Sequence, residues 1–306
     1  MKSSPDRPRI GIALGSGSSR GWAHIGILRA LEAMGVRPDV VAGCSIGSIV
    51  AAAYAGGRLD DLERWVRSLR KRDVAGFFDI GWRLNGIIDS QRLRRFLETH
   101  VADESVRIES LPRTYASVAT DLVTGREIWF TEGSVLDSIM ASIALPGLFV
   151  PVRQDRRWLV DGGLVNPVPV SLCHALGAEI VIAVNLNGDI VGRHLGRLRN
   201  GSDEEEGGAL EALLETLKSY SSNLFPDEMR AESPPGLFDI IASSINITQD
   251  RITRSRMAGD PPDVLLTPRL AHIGLLEFHR ADEAIEAGRR CVERLRPSIE
   301  FALEQG

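Results

Sequence analysis

The chain has 306 residues, a hydrophobic fraction of 43% and a formal net charge of −5. That length suffices for one large α/β domain or two small ones, with a sizeable core in either case. An acidic balance without a concentrated basic face argues against a nucleic-acid partner, and three scattered cysteines (Cys44, Cys173, Cys291) with no CxxC pair argue against a disulfide framework and a zinc site.

The cysteine usage suits a reduced, cytoplasmic compartment. The apolar run Ile10–Leu14 is too short for a signal-peptide core and leads into a Gly/Ser loop rather than a cleavage site. No stretch approaches the roughly 18–20 apolar residues that span a bilayer, so any membrane contact is expected to be peripheral.

In chain order, Arg9–Leu14 reads as a buried strand, followed by a Gly/Ser turn and a helix through Trp22–Met34. Val40–Ala42 is a second strand, and a helix follows from about Ile46 to Tyr54. Leu62, Trp65, Val66 and Leu69 repeat at helical spacing, as do Leu93, Phe96 and Leu97 after the capping candidate Ser90. Thr114–Asp121 and Arg126–Phe130 read as strands around Thr124-Gly125. Ile180–Asn185 and Asp263–Thr267 are the last strands, and a helix from about Ala281 closes the chain. Strands alternating with helices predict a mainly parallel sheet covered on both faces.

The alternation breaks between about Asn187 and Pro235, which reads as an insertion on a single domain spanning the chain. Its segment Gly201–Gly208 is acidic and glycine-bearing, as in a mobile loop. An apolar stripe follows at Leu210, Leu213, Leu214, Leu217, Leu224 and Phe225, and a second at Phe238, Ile241, Ile245 and Ile252. Either stripe could pack on the core, cover the site as a lid, or join two copies of the chain.

Gly43-Cys44-Ser45-Ile46-Gly47 is a G-x-S-x-G sequence between a strand and a helix, the setting of a nucleophile elbow. Glycines let the sharp turn close against its neighbours, and the helix N-terminus favours developing negative charge near Ser45. The same residues also describe a small-residue turn capped by Ser45. Gly15-Ser16-Gly17-Ser18-Ser19-Arg20-Gly21 could offer backbone N–H groups to a phosphate or to the oxyanion of acyl transfer. A dinucleotide site would want an acidic residue at the end of the second strand, but Asp39 stands at its beginning.

A nucleophilic Ser45 would need a base. None of the six histidines has a compelling context, and His24 on the first helix reads as a packed, hydrogen-bonded residue. Asp161-Gly162-Gly163 follows Trp158-Leu159-Val160, which would hold Asp161 at a strand end. A carboxylate ionised near neutrality can accept the serine proton. A plain Asp-Gly-Gly turn is the alternative.

Taken together, the loop opening on Arg20-Gly21, the G-x-S-x-G sequence, Ala141-Ser142-Ile143-Ala144-Leu145-Pro146 and Asp161-Gly162-Gly163 resemble the patatin-like phospholipases. The resemblance covers about residues 9–187, continues at Asp263–Glu277, and is strongest to small bacterial members. It implies a three-layer α/β/α sandwich and a Ser/Asp dyad without histidine, metal or organic cofactor. Ser45 would be the nucleophile, Asp161 the base, the N–H groups around Gly17 and Ser18 the oxyanion hole, and Arg20 a brace for that loop. Ser16 and Ser18 depart from the consecutive glycines of many members. The expected activity is hydrolysis of a carboxylic ester, with a phospholipid or lysophospholipid as substrate. A non-catalytic binding protein on the same fold and a nucleotide-binding protein are the alternatives.

Overall fold

A computed structural model describes residues 7–77, 90–188 and 237–305. Eight strands form one sheet: β1 (Ile10–Leu14), β2 (Val40–Cys44), β3 (Thr114–Asp121), β4 (Glu127–Phe130), β5 (Val152–Gln154), β6 (Arg157–Asp161), β7 (Ile180–Val184) and β8 (Val264–Leu266). Their order is β5-β6-β3-β2-β1-β7-β8, with β4 paired to β3 off this path. The pairs among β1, β2, β3, β7 and β8 are parallel, and those made by β4, β5 and β6 antiparallel.

The helices are α1 (Ala23–Ala33), α2 (Ile46–Ala55), α3 (Leu59–Ser68), α4 (Lys71–Phe77), α5 (Ser90–His100), α6 (Val135–Ser142), α7 (Val170–Ala175), α8 (Leu237–Gly259) and α9 (Ala281–Gln305). Side chains alternate across each strand, so the sheet separates two cores. Ile12, Leu14, Val41, Ile182 and Val184 pack with α1, α2 and α9 on one face. The smaller Ala13, Ala42 and Ala183, with Val40 and Val181, meet α7 and Met257 of α8 on the other. The result is the three-layer α/β/α sandwich with a mainly parallel sheet.

Register on β3 decides where the chain ends meet. Val118 is flanked by Cys44 and Trp129, and Ala119 by Asp161 and Ile128. A strand residue has one neighbour per edge, and β4 fills one edge at both positions. Thus β2 and β6 lie end to end along the other edge, with their C-terminal ends facing each other.

Two expectations need correction or placement. α8 contains the second apolar stripe, but the buried residues among its described side chains, which leave out Phe238 and Ile241, are Asn246, Gln249, Asp250 and Thr253. Ile245 and Ile252 are half-buried and Ile247 is exposed, because the inward face at Asn246 and Gln249 meets the polar loop of Ser16 and Arg20, while Met257 near the helix end reaches the sheet core. Of the insertion placed between Asn187 and Pro235, residues 189–236, including the first stripe and the acidic run, lie outside the described residues.

Candidate active site

The site forms where β2 and β6 meet. Beyond Cys44 the backbone turns at Ser45, whose φ of 54° and ψ of −126° are unusual for a non-glycine residue. α2 begins at the next residue, and Ser48 closes the turn by donating its N–H (2.8 Å) and Oγ–H (2.6 Å) to the Ser45 carbonyl. The flanking glycines are required by space. A Cβ on Gly43 would stand 2.5 Å from the Gly47 carbonyl oxygen, and one on Gly47 would stand 2.1 Å from that of Leu14. This is the backbone of a strand–turn–helix elbow.

Asp161 ends β6 and is buried. Ser45 Oγ donates to Asp161 Oδ2 at 2.5 Å. The other carboxylate oxygen, Oδ1, accepts from the Gly163 N–H at 2.7 Å. Thr120 Oγ1 donates to the Asp161 carbonyl at 2.8 Å, fixing the strand end. Burial pushes the carboxyl up to about 6, while hydrogen bonds from Ser45 and Gly163 hold it down in part. A carboxyl with a pKa near 6 can both accept and return a proton close to neutrality.

The end of α6 ties the two residues together. Ser142 Oγ accepts from the Ser45 N–H at 2.9 Å, and the Ala144 carbonyl accepts from the Asp161 N–H at 3.0 Å. Both belong to the Ala141–Pro146 segment, which matched a motif in the sequence without having a role there.

The Gly15–Gly21 loop lies against the elbow, as the Gly47 contact with Leu14 requires. Its N–H groups are mostly engaged: Gly15 donates to Val184 O, Ser16 to Pro167 O, Ser19 to Leu275 O and Arg20 to Gly17 O. Those of Gly17 and Ser18 have no acceptor among the described residues. Ser18 takes the left-handed φ of 54° that a glycine would adopt at lower cost. Its hydroxyl offsets this by donating to Leu275 O at 2.6 Å. Arg20 is buried, and its Nε donates to Gly17 O at 3.1 Å and its Nη2 to Asn246 Oδ1 at 3.3 Å.

Gln249 went unnoticed in the sequence. Its Oε1 accepts from Ser16 Oγ at 2.9 Å and from Asn187 Nδ2 at 3.0 Å. A Cβ on Gly163 would stand 2.4 Å from Gln249 Nε2 and 2.9 Å from Asp161 Oδ1, so amide and carboxylate are near neighbours. A glutamine in a long helix carries no sequence signal for this; the buried polar face of α8 is visible only in three dimensions.

Among the described residues no histidine hydrogen-bonds Ser45 or Asp161. His24 is buried with Nε2 2.8 Å from Gly15 O, and burial lowers it to about 4, so the ring is neutral. Burial also pushes the Cys44 thiol, beside Ser45, well above its ordinary value. Asp39 binds Arg7 and the Ile10 N–H at the opposite end of the sheet, away from any ribose at the elbow. Among the described residues no group of three His, Cys, Asp or Glu side chains is placed to hold a metal ion, and no helix is long and apolar enough to cross a membrane.

The patatin-like phospholipase family profile matches residues 12–174, from β1 past the Asp-Gly-Gly turn. The chain belongs to that family. An uncharacterized NTE family protein of Mycobacterium tuberculosis is 33% identical over 92% of this chain and 89% of its own length. Lysophospholipase NTE1 of Pyricularia oryzae is 27% identical over 91% of this chain but only 18% of its own length. The mouse patatin-like phospholipase domain-containing protein 6 is 31% identical over 58% of this chain and 13% of its own. Membership of a phospholipase family supports a lipid hydrolase.

Proposed function

We propose that the protein hydrolyses the carboxylic ester of a phospholipid or lysophospholipid through an acyl-enzyme on Ser45, with Asp161 as the sole base. The observation that carries this reading is the 2.5 Å hydrogen bond from Ser45 Oγ to Asp161 Oδ2, at an elbow whose glycines admit no side chain. The names of the fungal and mouse relatives supply the substrate class.

In the first half-reaction Asp161 takes the Ser45 proton as Oγ attacks the ester carbonyl. The Gly17 and Ser18 N–H groups receive the oxyanion, being adjacent donors with no other acceptor among the described residues. Collapse expels the alcohol, which takes the proton from Asp161. In the second half-reaction Asp161 deprotonates water, which attacks the acyl-enzyme and releases the carboxylic acid. Ser142 and Ala144 hold nucleophile and base in register during both steps.

The test is turnover of p-nitrophenyl esters and lysophosphatidylcholine by the wild type and by Ser45→Ala. Hydrolysis of both by the wild type alone supports the reading. Turnover of neither, by a folded wild-type protein, favours a non-catalytic binding role.

A further inference from the structure

The antiparallel pairing that delivers Asp161 also raises two hairpin tips beside it. β6 runs inward from Arg157 to Asp161, so the β5–β6 tip stands roughly 13 Å beyond Asp161 at the usual rise per strand residue. The β3–β4 turn stands next to it, since Asp121 pairs with Leu159 and the Leu122 N–H donates to Trp158 O at 2.8 Å. Both tips project past the same sheet edge at which β2 ends in the Ser45 elbow.

The residues on these tips are unusual for a solvent-facing surface. Val123 is 79% exposed, Leu122 52% and Trp158 44%. Around them stand the exposed arginines Arg126, Arg153, Arg156 and Arg157, with Asp155 the one acidic residue in 122–126 and 153–158. Among the described residues Arg126, Arg153 and Arg156 form no ion pair with a carboxylate, while Arg157 lies near enough to Asp121 to help hold its carboxyl below the ordinary value. Arg153 instead lies over the Trp158 ring, 5.7 Å from its centroid. Of the nearby acids, Asp121 accepts from the Val123 and Thr124 N–H groups and feels only Arg157 of the four, and Glu127 is bridged by Arg256. Arg156 even holds a cation at φ 66°, a hairpin position that favours glycine.

An acidic protein thus carries a cationic rim, rich in arginines without an ion-pair partner, around exposed aliphatic and aromatic side chains, on one side of the proposed catalytic mouth. Aromatic and aliphatic groups insert at the headgroup–acyl boundary, while arginines attract anionic headgroups. We propose that these two tips are the surface by which the protein docks on anionic phospholipid bilayers. The proposal takes only the substrate class from the reading above.

The experiment measures co-sedimentation with vesicles of phosphatidylcholine alone and of phosphatidylcholine with phosphatidylglycerol, on the Ser45→Ala background so that no lipid can be turned over. Binding to the anionic vesicles at least tenfold stronger than to neutral ones is expected. Leu122→Ser with Val123→Ser should weaken that binding tenfold or more, and Arg126→Glu with Arg156→Glu should abolish the anionic preference. With Ser45 intact, both pairs should leave hydrolysis of a short soluble ester within twofold of wild type, which also shows that they fold. Absence of binding to anionic vesicles, or binding that both pairs retain, would overturn the proposal. Self-association lost in the same variants, without vesicle binding, would assign the face to a second copy instead. Docking that persists in a protein without esterase activity would sink the catalytic reading and leave this one standing.

Discussion

Cys44 and Asp161 are successive neighbours along one edge of β3, opposite Val118 and Ala119, although 117 positions separate them in the chain. Because β2 runs parallel to β3 and β6 antiparallel, the residue after Cys44 and the residue ending β6 converge on one point. The contact between Ser45 and Asp161 is thus a property of strand register. It needs no flexible loop to bring the two groups together, which agrees with the burial of Asp161 and of the α6 residues that brace it.

Asp161→Asn should inactivate the enzyme as fully as loss of the serine, and also stabilise it. Burial raises the carboxyl from 3.8 to about 6, so the folded protein holds the proton more tightly than the unfolded chain. The stability gained by holding it is complete below about pH 4 and lost as pH rises through 6. At pH 8 the wild type therefore carries a buried carboxylate costing up to ~3 kcal/mol, which the amide avoids. Thermal unfolding should show a higher Tm for Asp161→Asn at pH 8, with the advantage shrinking toward pH 4. An unchanged or growing advantage at low pH would contradict the electrostatic account.

The same shift predicts the pH–rate profile. In the proposed mechanism Asp161 must be ionised in the free enzyme, so kcat/KM should rise with pH and level off above an apparent pKa near 6. His24, held neutral with a value of about 4, should not contribute to this limb. A His24→Gln variant that still folds should keep the limb in place; its disappearance there would point to an imidazole.

Ser142→Ala tests the brace beneath the elbow. The change leaves the part-buried Ser45 N–H without its 2.9 Å acceptor, a loss on the order of 1 kcal/mol. Since Ser142 accepts from the Ser45 backbone N–H, kcat should fall by about tenfold with KM nearly constant if the proposed mechanism holds. A rise in KM at constant kcat would place Ser142 in substrate binding instead.

Gln249 joins the Ser16 loop to the Asp161 turn, and two substitutions separate its possible contributions. Gln249→Leu should lower kcat through loosening of the loop, without moving the acid limb. Gln249→Glu sets a second carboxylate beside Asp161, so the limb should move to higher pH. If neither variant differs from wild type in kcat or pH profile, the residue is packing alone.

Much of the parallel half could be read from the sequence because each strand there is a short apolar run next to a glycine or an acid. β3 was bounded as Thr114–Asp121 in both views, and β1, β2 and β7 within two residues. What escaped was set by tertiary partners. β5 has three residues, and no periodicity resolves so short a strand. α8 looked like an apolar stripe because its isoleucines recur at helical spacing, yet Gln249 on its inner face meets the Ser16 hydroxyl and the Asp-Gly-Gly turn. The candidate dyad was legible from two motifs, whereas Ser142 and Gln249 gained their positions only when distant segments met.

Covalent labelling tests the central claim most directly. The protein should be treated with a fluorophosphonate, digested, and the modified peptide sequenced by mass spectrometry. The account predicts a single adduct on Ser45, absent from Ser45→Ala and greatly slowed in Asp161→Asn. An adduct on any other residue, or undiminished labelling of Ser45→Ala, would contradict it.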